Sequence, residues 1–253
     1  MPSLVGSEMC IRDRINKGEQ IALTNKSRDF FFLKRYDADV IISVVIQLIK
    51  QKLPKYVDAK PFDIQVLTPM RKGLLGVERL NHILQQYLNP KDTKKAEHEV
   101  GDRIFREGDK VMQIKNNYDI TWIRDDGEQG SGIFNGDIGI IDSIDRKSRT
   151  LIVIFDDKTA KYTYEYATDL DFAYAVTVHK SQGNEFDCVI IPMFQGPPQL
   201  YYRNLLYTAV TRAKKTLVLV GNPKTVEYMV QNNRRTKRYS GLKEFLLRDE
   251  QLY

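Results

Sequence analysis

The sequence predicts an α/β fold into which a small β-barrel is inserted. A short apolar strand at 61–70 is followed by a basic turn and by a helix at 76–88 with apolar residues at helical spacing. This layout is typical of α/β proteins, whose ligands bind at the carboxyl edge of the sheet. The α/β pattern returns as a helix at 202–213 and a buried strand at 216–221. Between the two parts, 107–166 holds short period-2 segments broken by Gly, Asn and Asp, which favours an SH3-like or OB-like barrel.

The amino-terminal α/β unit starts with an aromatic strand at 28–35. Asp37 or Asp39 can cap the following helix, whose apolar run predicts that it is buried on most sides. Pro54 is expected to close this helical region.

Two more helix starts are predicted near the carboxyl end. Asn222 followed by Pro223 is a strong start signal, and Ser240 can cap a short helix over 241–250. Residues 1–14 lack a clear period, and we treat them as an uncertain start that can be artefactual.

The composition excludes several classes of protein. Hydrophobic residues make up 42% and charged residues 28%, which is ordinary for a globular protein. No apolar run is long enough for a membrane span, and the start has no signal-peptide core, so we expect a cytoplasmic protein without a membrane partner. Two cysteines (Cys10 and Cys188) and three scattered histidines predict no metal site. The net charge of +6 is compatible with a polyanionic partner, although a solvated surface is the more common explanation of any one basic cluster taken alone.

The stretch AVTVHKSQGNEF at 175–186 is the strongest candidate for a functional loop. Polar and flexible residues here separate two apolar strands, although an ordinary turn has the same composition. Together with Arg71 and Arg212, its Gly183 and Glu185 predict a single anion-binding edge, because guanidinium groups match phosphate oxygens and glycine permits close approach. A surface ion pair is the alternative for each arginine.

Five segments, in order, resemble motifs of superfamily 1 helicases of the RecD-like branch (SF1B). The loop at 175–186 resembles motif V, and LLYTAVTRAKKTLVLVG resembles motif VI. QVLTPMRKGLLGVERLN is similar to motif IV. EGDKVMQIKNNYD with FNGDIG is similar to the SH3-like insert, and INKGE to the segment after motif III. The resemblance covers about 15–253. It implies a RecA-like, P-loop NTPase-type parallel sheet with helices on both faces.

The resemblance also implies roles for individual residues. Arg212 corresponds to the arginine finger that contacts the ATP γ-phosphate, and Arg71 to a second arginine that reaches the same phosphate. The implied ATP-binding residues are Gln182, Gly183 and Glu185. The implied DNA-binding residues are Thr177, His179, Lys180, Asn117 and Tyr118; His179 has the alternative of a hydrogen-bonded loop histidine. Lys110, Lys115 and Trp122 are expected to line the DNA path, while packing within the barrel is the alternative for Trp122 and Tyr118.

The phosphate-binding pattern GxxxxGK[ST] does not occur in the sequence. An acidic Walker B pair at the end of an apolar strand is also missing, because DIQVL has its acidic residue before the strand. We therefore expect the chain to be the carboxyl-terminal part of a helicase, without appreciable ATP hydrolysis of its own. The ligands of the Mg²⁺ that accompanies ATP are expected in an N-terminal motor domain outside this chain.

The resulting hypothesis is an ATP-dependent DNA helicase that moves 5′ to 3′ on single-stranded DNA and meets junctions of single- and double-stranded DNA. The expected divisions are a first RecA-like part at 15–100, an SH3-like insert at 101–166 and a second RecA-like part at 167–253. A non-catalytic nucleic-acid-binding module is one alternative. The helicase half of a conjugative relaxase or of a recombination complex is another.

Overall fold

The computed structural model describes residues 11–233. The helices are α1 (Ile11–Lys17), α2 (Ala38–Gln47), α3 (Leu53–Val57), α4 (Val77–Leu88), α5 (Arg203–Val210) and α6 (Pro223–Gln231). The strands are β1 (Phe30–Lys34), β2 (Ile64–Thr68), β3 (Glu97–Val100), β4 (Arg103–Arg106), β5 (Lys110–Gln113), β6 (Asn117–Arg124), β7 (Gln129–Ile133), β8 (Ile138–Asp145), β9 (Thr150–Phe155), β10 (Lys158–Thr163), β11 (Leu170–Phe172), β12 (Ala175–Thr177), β13 (Phe186–Met193) and β14 (Ala213–Gly221).

The larger unit is a five-stranded sheet in the order β1-β14-β13-β2-β12, and all four strand pairs are parallel. Successive side chains of a strand point to opposite faces, so each strand serves two cores. Val189 and Ile191 of β13 lie in the core formed with α1, α5 and α6, whereas Ile190 lies in the core formed with α2, α3 and α4. The predicted parallel sheet with helices on both faces is confirmed.

A second, antiparallel sheet interrupts the first between α4 and β12. Its order is β11-β5-β8-β9-β10-β6-β7, and all six pairings are antiparallel. Phe105, Val153, Tyr162 and Leu170 are fully buried in a core of its own. We call the unit from β5 to β11 the insert. The predicted insertion of short strands is confirmed, while its closure into a barrel and the limits 101–166 stay predictions.

Local sequence signals explain how the helices begin. Asp37 Oδ1 accepts hydrogen bonds from the amides of Asp39 and Val40, and Asn222 Oδ1 accepts one from Lys224. Both predicted caps are confirmed. Pro54, by contrast, does not close its helical region: it lies in the first turn of α3, where no amide donor is needed. A π-helical stretch, Leu48–Lys52, joins α2 to α3.

Some predicted elements differ from the structure or lie outside the part that it describes. The helix predicted to reach residue 213 ends at Val210, and Ala213 already belongs to β14. Residues 1–10, Ser240 and the helix predicted at 241–250 lie outside the described residues. No helix within 11–233 is long and apolar enough to cross a membrane.

Candidate nucleotide and nucleic-acid sites

The loop 178–185 connects the two edges of the parallel sheet, and we call it the crossing loop. It leaves the carboxyl end of β12 and enters the amino end of β13. Its first half is one helical turn, since Ser181 N donates to Thr177 O at 3.1 Å. The Ser181 side chain is fully buried and donates to Val178 O at 2.7 Å. Buried anchors therefore hold the loop, while His179, Lys180 and Gln182 remain exposed.

The strand register separates the two arginines that the sequence places at one edge. Arg71 follows β2, whose last residue Thr68 pairs with Thr177 at the carboxyl edge. Arg212 precedes Ala213, which pairs with Phe186 at the amino edge. The six residues from Phe186 to the level of Thr68 correspond to about 20 Å of strand.

The expectation of a single anion-binding edge is therefore wrong. The expectation that Arg71 and Arg212 contact the same phosphate is also wrong, because the two residues lie beyond opposite ends of parallel strands. Chain order carried this signal: Arg71 comes after its strand and Arg212 comes before its strand.

At the amino edge, Arg212 contacts the end of the crossing loop. Its Nη1 donates to Asn184 O at 3.1 Å, and its Nη2 donates to Thr211 Oγ1 at 3.2 Å. Its Nε is buried without a hydrogen-bond partner in 11–233, and no ion pair in that range includes Arg212. Among residues 11–233 no ion pair compensates the guanidinium charge, and the group has donors left for an anion.

Gly183 and Glu185 lie beside this arginine in the same loop. Gly183 has φ +94°, a backbone conformation that side-chain-bearing residues rarely adopt, and a Cβ placed there would meet open space. Glu185 is exposed and lines a cleft that also includes Lys214 and Lys158. This arrangement permits close approach of a ligand to the backbone at Gly183 and offers it a carboxylate acceptor at Glu185.

The carboxyl edge is an open cleft with exposed cationic groups. Thr177, Lys180 and Arg71 line it together with residues of α4 and Arg103. Arg71 donates from Nε to Glu78 at 2.9 Å, but the two side chains are 77% and 47% exposed, so the ion pair contributes at most about 1 kcal/mol. His179 Nε2 lies 3.5 Å from the Tyr202 hydroxyl, a long contact that leaves the ring exposed.

The predicted DNA-contacting residues of the insert have different surroundings. Asn117 is engaged within the insert, because its Nδ2 donates to Asp169 at 3.3 Å and its Oδ1 accepts from the amide of Asp119. Tyr118 is 67% exposed and packs edge-on against Phe134. Lys115 is exposed and forms an ion pair with Asp169.

Trp122 packs within the insert and lies beneath two cations. The Arg124 guanidinium and the Lys158 ammonium are 5.1 Å and 4.8 Å from the centre of its ring. A Cβ at Gly130 would lie 2.4 Å from the indole, so only glycine fits there.

The expectation that Lys110 lines a DNA path is wrong. Lys110 is buried, and its Nζ donates to Phe62 O at 2.7 Å and Ile64 O at 3.3 Å, at the amino end of β2. Burial lowers the pKa of its ammonium group to about 7. It is therefore a junction between the insert and the parallel sheet.

Sequence reasoning also missed the neighbouring Asp109. This fully buried carboxylate accepts hydrogen bonds from Gln85 of α4, from Asn89 directly after α4, from the Arg106 amide and from the Tyr174 hydroxyl, all at 2.7–2.8 Å. Burial raises its pKa above the ordinary value, while the four donors act in the opposite direction. An acidic residue in an EGDK turn gives no sign of burial, so only the tertiary structure identifies this network.

Within 11–233 no group of three or more His, Cys, Asp or Glu side chains could hold a metal ion.

Comparison with protein families matches both units of this architecture. Residues 80–155 match the family described as ATP-dependent RecD-like DNA helicase SH3 domain, and 172–220 match the UvrD-like helicase C-terminal domain. Two segments of the chain thus match domains of RecD-like and UvrD-like helicases. The second match starts just before β12 and includes the crossing loop and Arg212.

The curated relatives are much longer than this chain. The chain is 36% identical over 164 residues to the ATP-dependent RecD2 DNA helicase of Deinococcus radiodurans. This alignment covers 64% of the chain and 20% of that protein. It is 36% identical over 120 residues to the RecBCD enzyme subunit RecD of Mycobacterium tuberculosis, covering 46% of the chain and 20% of the subunit. The chain thus spans about a fifth of the length of these relatives.

Solved helicase structures have a lower sequence identity to this chain than the curated relatives do. The Pif1 helicase from Bacteroides in complex with ADP-AlF3 and ssDNA aligns with 99% of this chain and 55% of its own, at 14% identity and a TM-score of 0.47.

Proposed function

We propose that this chain is the carboxyl-terminal motor unit of an ATP-dependent DNA helicase that moves 5′ to 3′ on single-stranded DNA. The observation that carries the proposal is the crossing loop, which joins a cationic carboxyl edge to an amino edge with an uncompensated arginine. A motor must couple nucleotide hydrolysis to movement on DNA, and a single anchored loop between two sites is suited to that coupling. The matches to helicase domains support it.

At the amino edge, Arg212 is the proposed arginine finger. Negative charge on the transferred phosphoryl group must be stabilised in the transition state, and such an arginine is typically worth about 10³–10⁵ in rate. Gly183 allows close approach to a phosphate, while Gln182 and Glu185 offer polar groups to the nucleotide. The P-loop lysine and the ligands of Mg²⁺ would come from a second motor domain, which also completes the nucleotide site.

At the carboxyl edge, Thr177, His179, Lys180 and Arg71 are proposed to contact the phosphates of single-stranded DNA. Their exposure suits a polyanion, which binds largely by releasing counterions. Tyr118 of the insert offers a ring for base stacking, and Asn117 fixes the strand that carries it. Junctions of single- and double-stranded DNA are the proposed substrate.

The test of the motor proposal is hydrolysis of ATP by the whole helicase, in which this unit is joined to a P-loop motor domain. Arg212→Ala should leave ATP binding within about twofold and lower the DNA-stimulated kcat by about 10³ or more. Lys147→Ala is the control, because Lys147 is an exposed cation that lines neither of the two clefts. Unchanged turnover in Arg212→Ala would contradict the arginine-finger role and favour a non-catalytic nucleic-acid-binding module.

A further inference from the structure

The insert contacts the crossing loop through a tight turn. The turn 134–137 lies between β7 and β8, and Gly136 O accepts a hydrogen bond from Asn184 Nδ2 at 2.9 Å. The turn is held from both sides: Phe134 N donates to Asp137 Oδ2 at 2.9 Å, and Gly136 N donates to Gln113 O at 2.9 Å. A displacement of this turn would therefore be transmitted to Asn184 and not absorbed locally.

Asn184 also holds Arg212 on its other side. The backbone carbonyl of Asn184 accepts a hydrogen bond from Arg212 Nη1, while the backbone N–H of Asn184 donates to Ser181 O at 3.1 Å. Phe186 N donates to Arg212 O at 2.8 Å, so the arginine backbone is tied to the same segment. Because the remaining contact of the guanidinium is with its neighbour Thr211, the position of Asn184 sets the direction of the Arg212 side chain.

The far end of this chain of contacts is an exposed aromatic pair. Tyr118 and Phe134 are 67% and 42% exposed, and their ring centres lie 5.8 Å apart at 75°. Exposed rings of this kind stack on bases of single strands with little sequence preference. Phe134 is itself part of the turn, so a base held on the pair would restrain the turn that contacts Asn184.

We propose that Asn184 is a positioning residue that couples base stacking on Tyr118 and Phe134 to the orientation of Arg212. The inference rests on the proposed function, since it assigns the insert a part in controlling the same arginine. In this proposal Asn184 is assigned no contact with nucleotide or DNA. It acts through its Nδ2 on the insert and through its carbonyl on Arg212.

The test uses Asn184→Asp in the whole helicase. The carboxylate keeps the size of the amide but cannot donate to Gly136 O, so the link to the insert is lost. We expect the stimulation of kcat by oligo(dT) to fall about tenfold, with the KM for ATP and the melting temperature close to those of the parent protein. Asn204→Ala on α5 is the control, because Asn204 is exposed and distant from the turn in sequence; it should leave the stimulation unchanged.

Two results would overturn the inference. If Arg212→Ala abolishes hydrolysis while Asn184→Asp keeps the full stimulation by oligo(dT), the arginine finger stands and the coupling is refuted. If Arg212→Ala keeps its turnover, both proposals fail.

If the Asn184→Asp variant folds poorly, a second measurement on the parent protein tests the same inference. Hydrogen exchange of the parent chain with oligo(dT) bound should slow in the turn 134–137 and also in 178–186. Slowing confined to the insert would refute the coupling.

Discussion

The two edges of the parallel sheet are held in different ways. On the amino side, the insert is fixed by buried groups: Asp109 accepts four hydrogen bonds, and Lys110 donates to two carbonyl groups at the start of β2. On the carboxyl side, Arg71 and Lys180 are exposed, and the ion pair between Arg71 and Glu78 is open to solvent.

The difference indicates how one domain can serve two ligands. Buried and fully paired polar groups specify a single geometry, because breaking any one of them leaves a desolvated group without a partner. Exposed charges cost little to rearrange and can follow a flexible polymer. The amino side is thus suited to a fixed arginine, and the carboxyl side to a moving strand of DNA.

Among the substitutions that test this difference between the two sides, Asp109→Ala is expected to have the largest effect on the free energy of unfolding. The substitution leaves buried donors of Gln85, Asn89 and Tyr174 without their acceptor, and we expect a loss of about 3 kcal/mol or more in the free energy of unfolding. Urea denaturation measures it. Asp142→Ala, an exposed carboxylate of the same insert, should change the stability by less than about 0.5 kcal/mol. A small loss for Asp109→Ala would show that the amino side is not held by this network.

The next largest effect is a pH dependence caused by Lys110. Its pKa is about 7 in the folded protein and near 10.4 in an unfolded chain, so the unfolded state binds more protons between these values. The free energy of unfolding should therefore rise with pH from 7 to 9, by up to about 1.4 kcal/mol per pH unit.

Lys110→Met should remove this slope, and unfolding in urea at pH 7, 8 and 9 measures it. Lys147→Met is the control, because Lys147 is an exposed lysine of the same insert and should retain the slope. An identical slope in Lys110→Met would mean that another group titrates.

The smallest effects on stability are expected at the carboxyl edge, where the change should appear in DNA binding instead. Arg71→Ala and Lys180→Ala should each leave the free energy of unfolding within about 0.5 kcal/mol. Each should also lower the slope of log K against log salt for oligo(dT) by about 0.7, the value for one phosphate contact.

Fluorescence anisotropy of labelled oligo(dT) between 50 and 200 mM salt, a range of roughly fourfold, measures this slope. Lys147→Ala should retain the slope of the parent chain. A slope equal to that of the parent chain in both Arg71→Ala and Lys180→Ala would place the DNA elsewhere.

Local pattern was sufficient for most of the architecture. The apolar runs at 61–70 and 216–221 became buried strands, and Asp37 and Asn222 became helix caps. The helix predicted at 202–213 became α5. These features depend on neighbours within a few residues, so the chain determines them by itself. The motif order likewise led to the RecD-like family.

The tertiary structure alone decided which groups meet. Arg71 follows β2 and Arg212 precedes β14, and the parallel register of these strands places the two residues at opposite edges of the sheet. Lys110 resembles any other lysine of a basic chain, yet it is buried because the insert packs on the start of β2. Contacts between residues far apart in sequence depend on how the two units pack, and no local pattern encodes that packing.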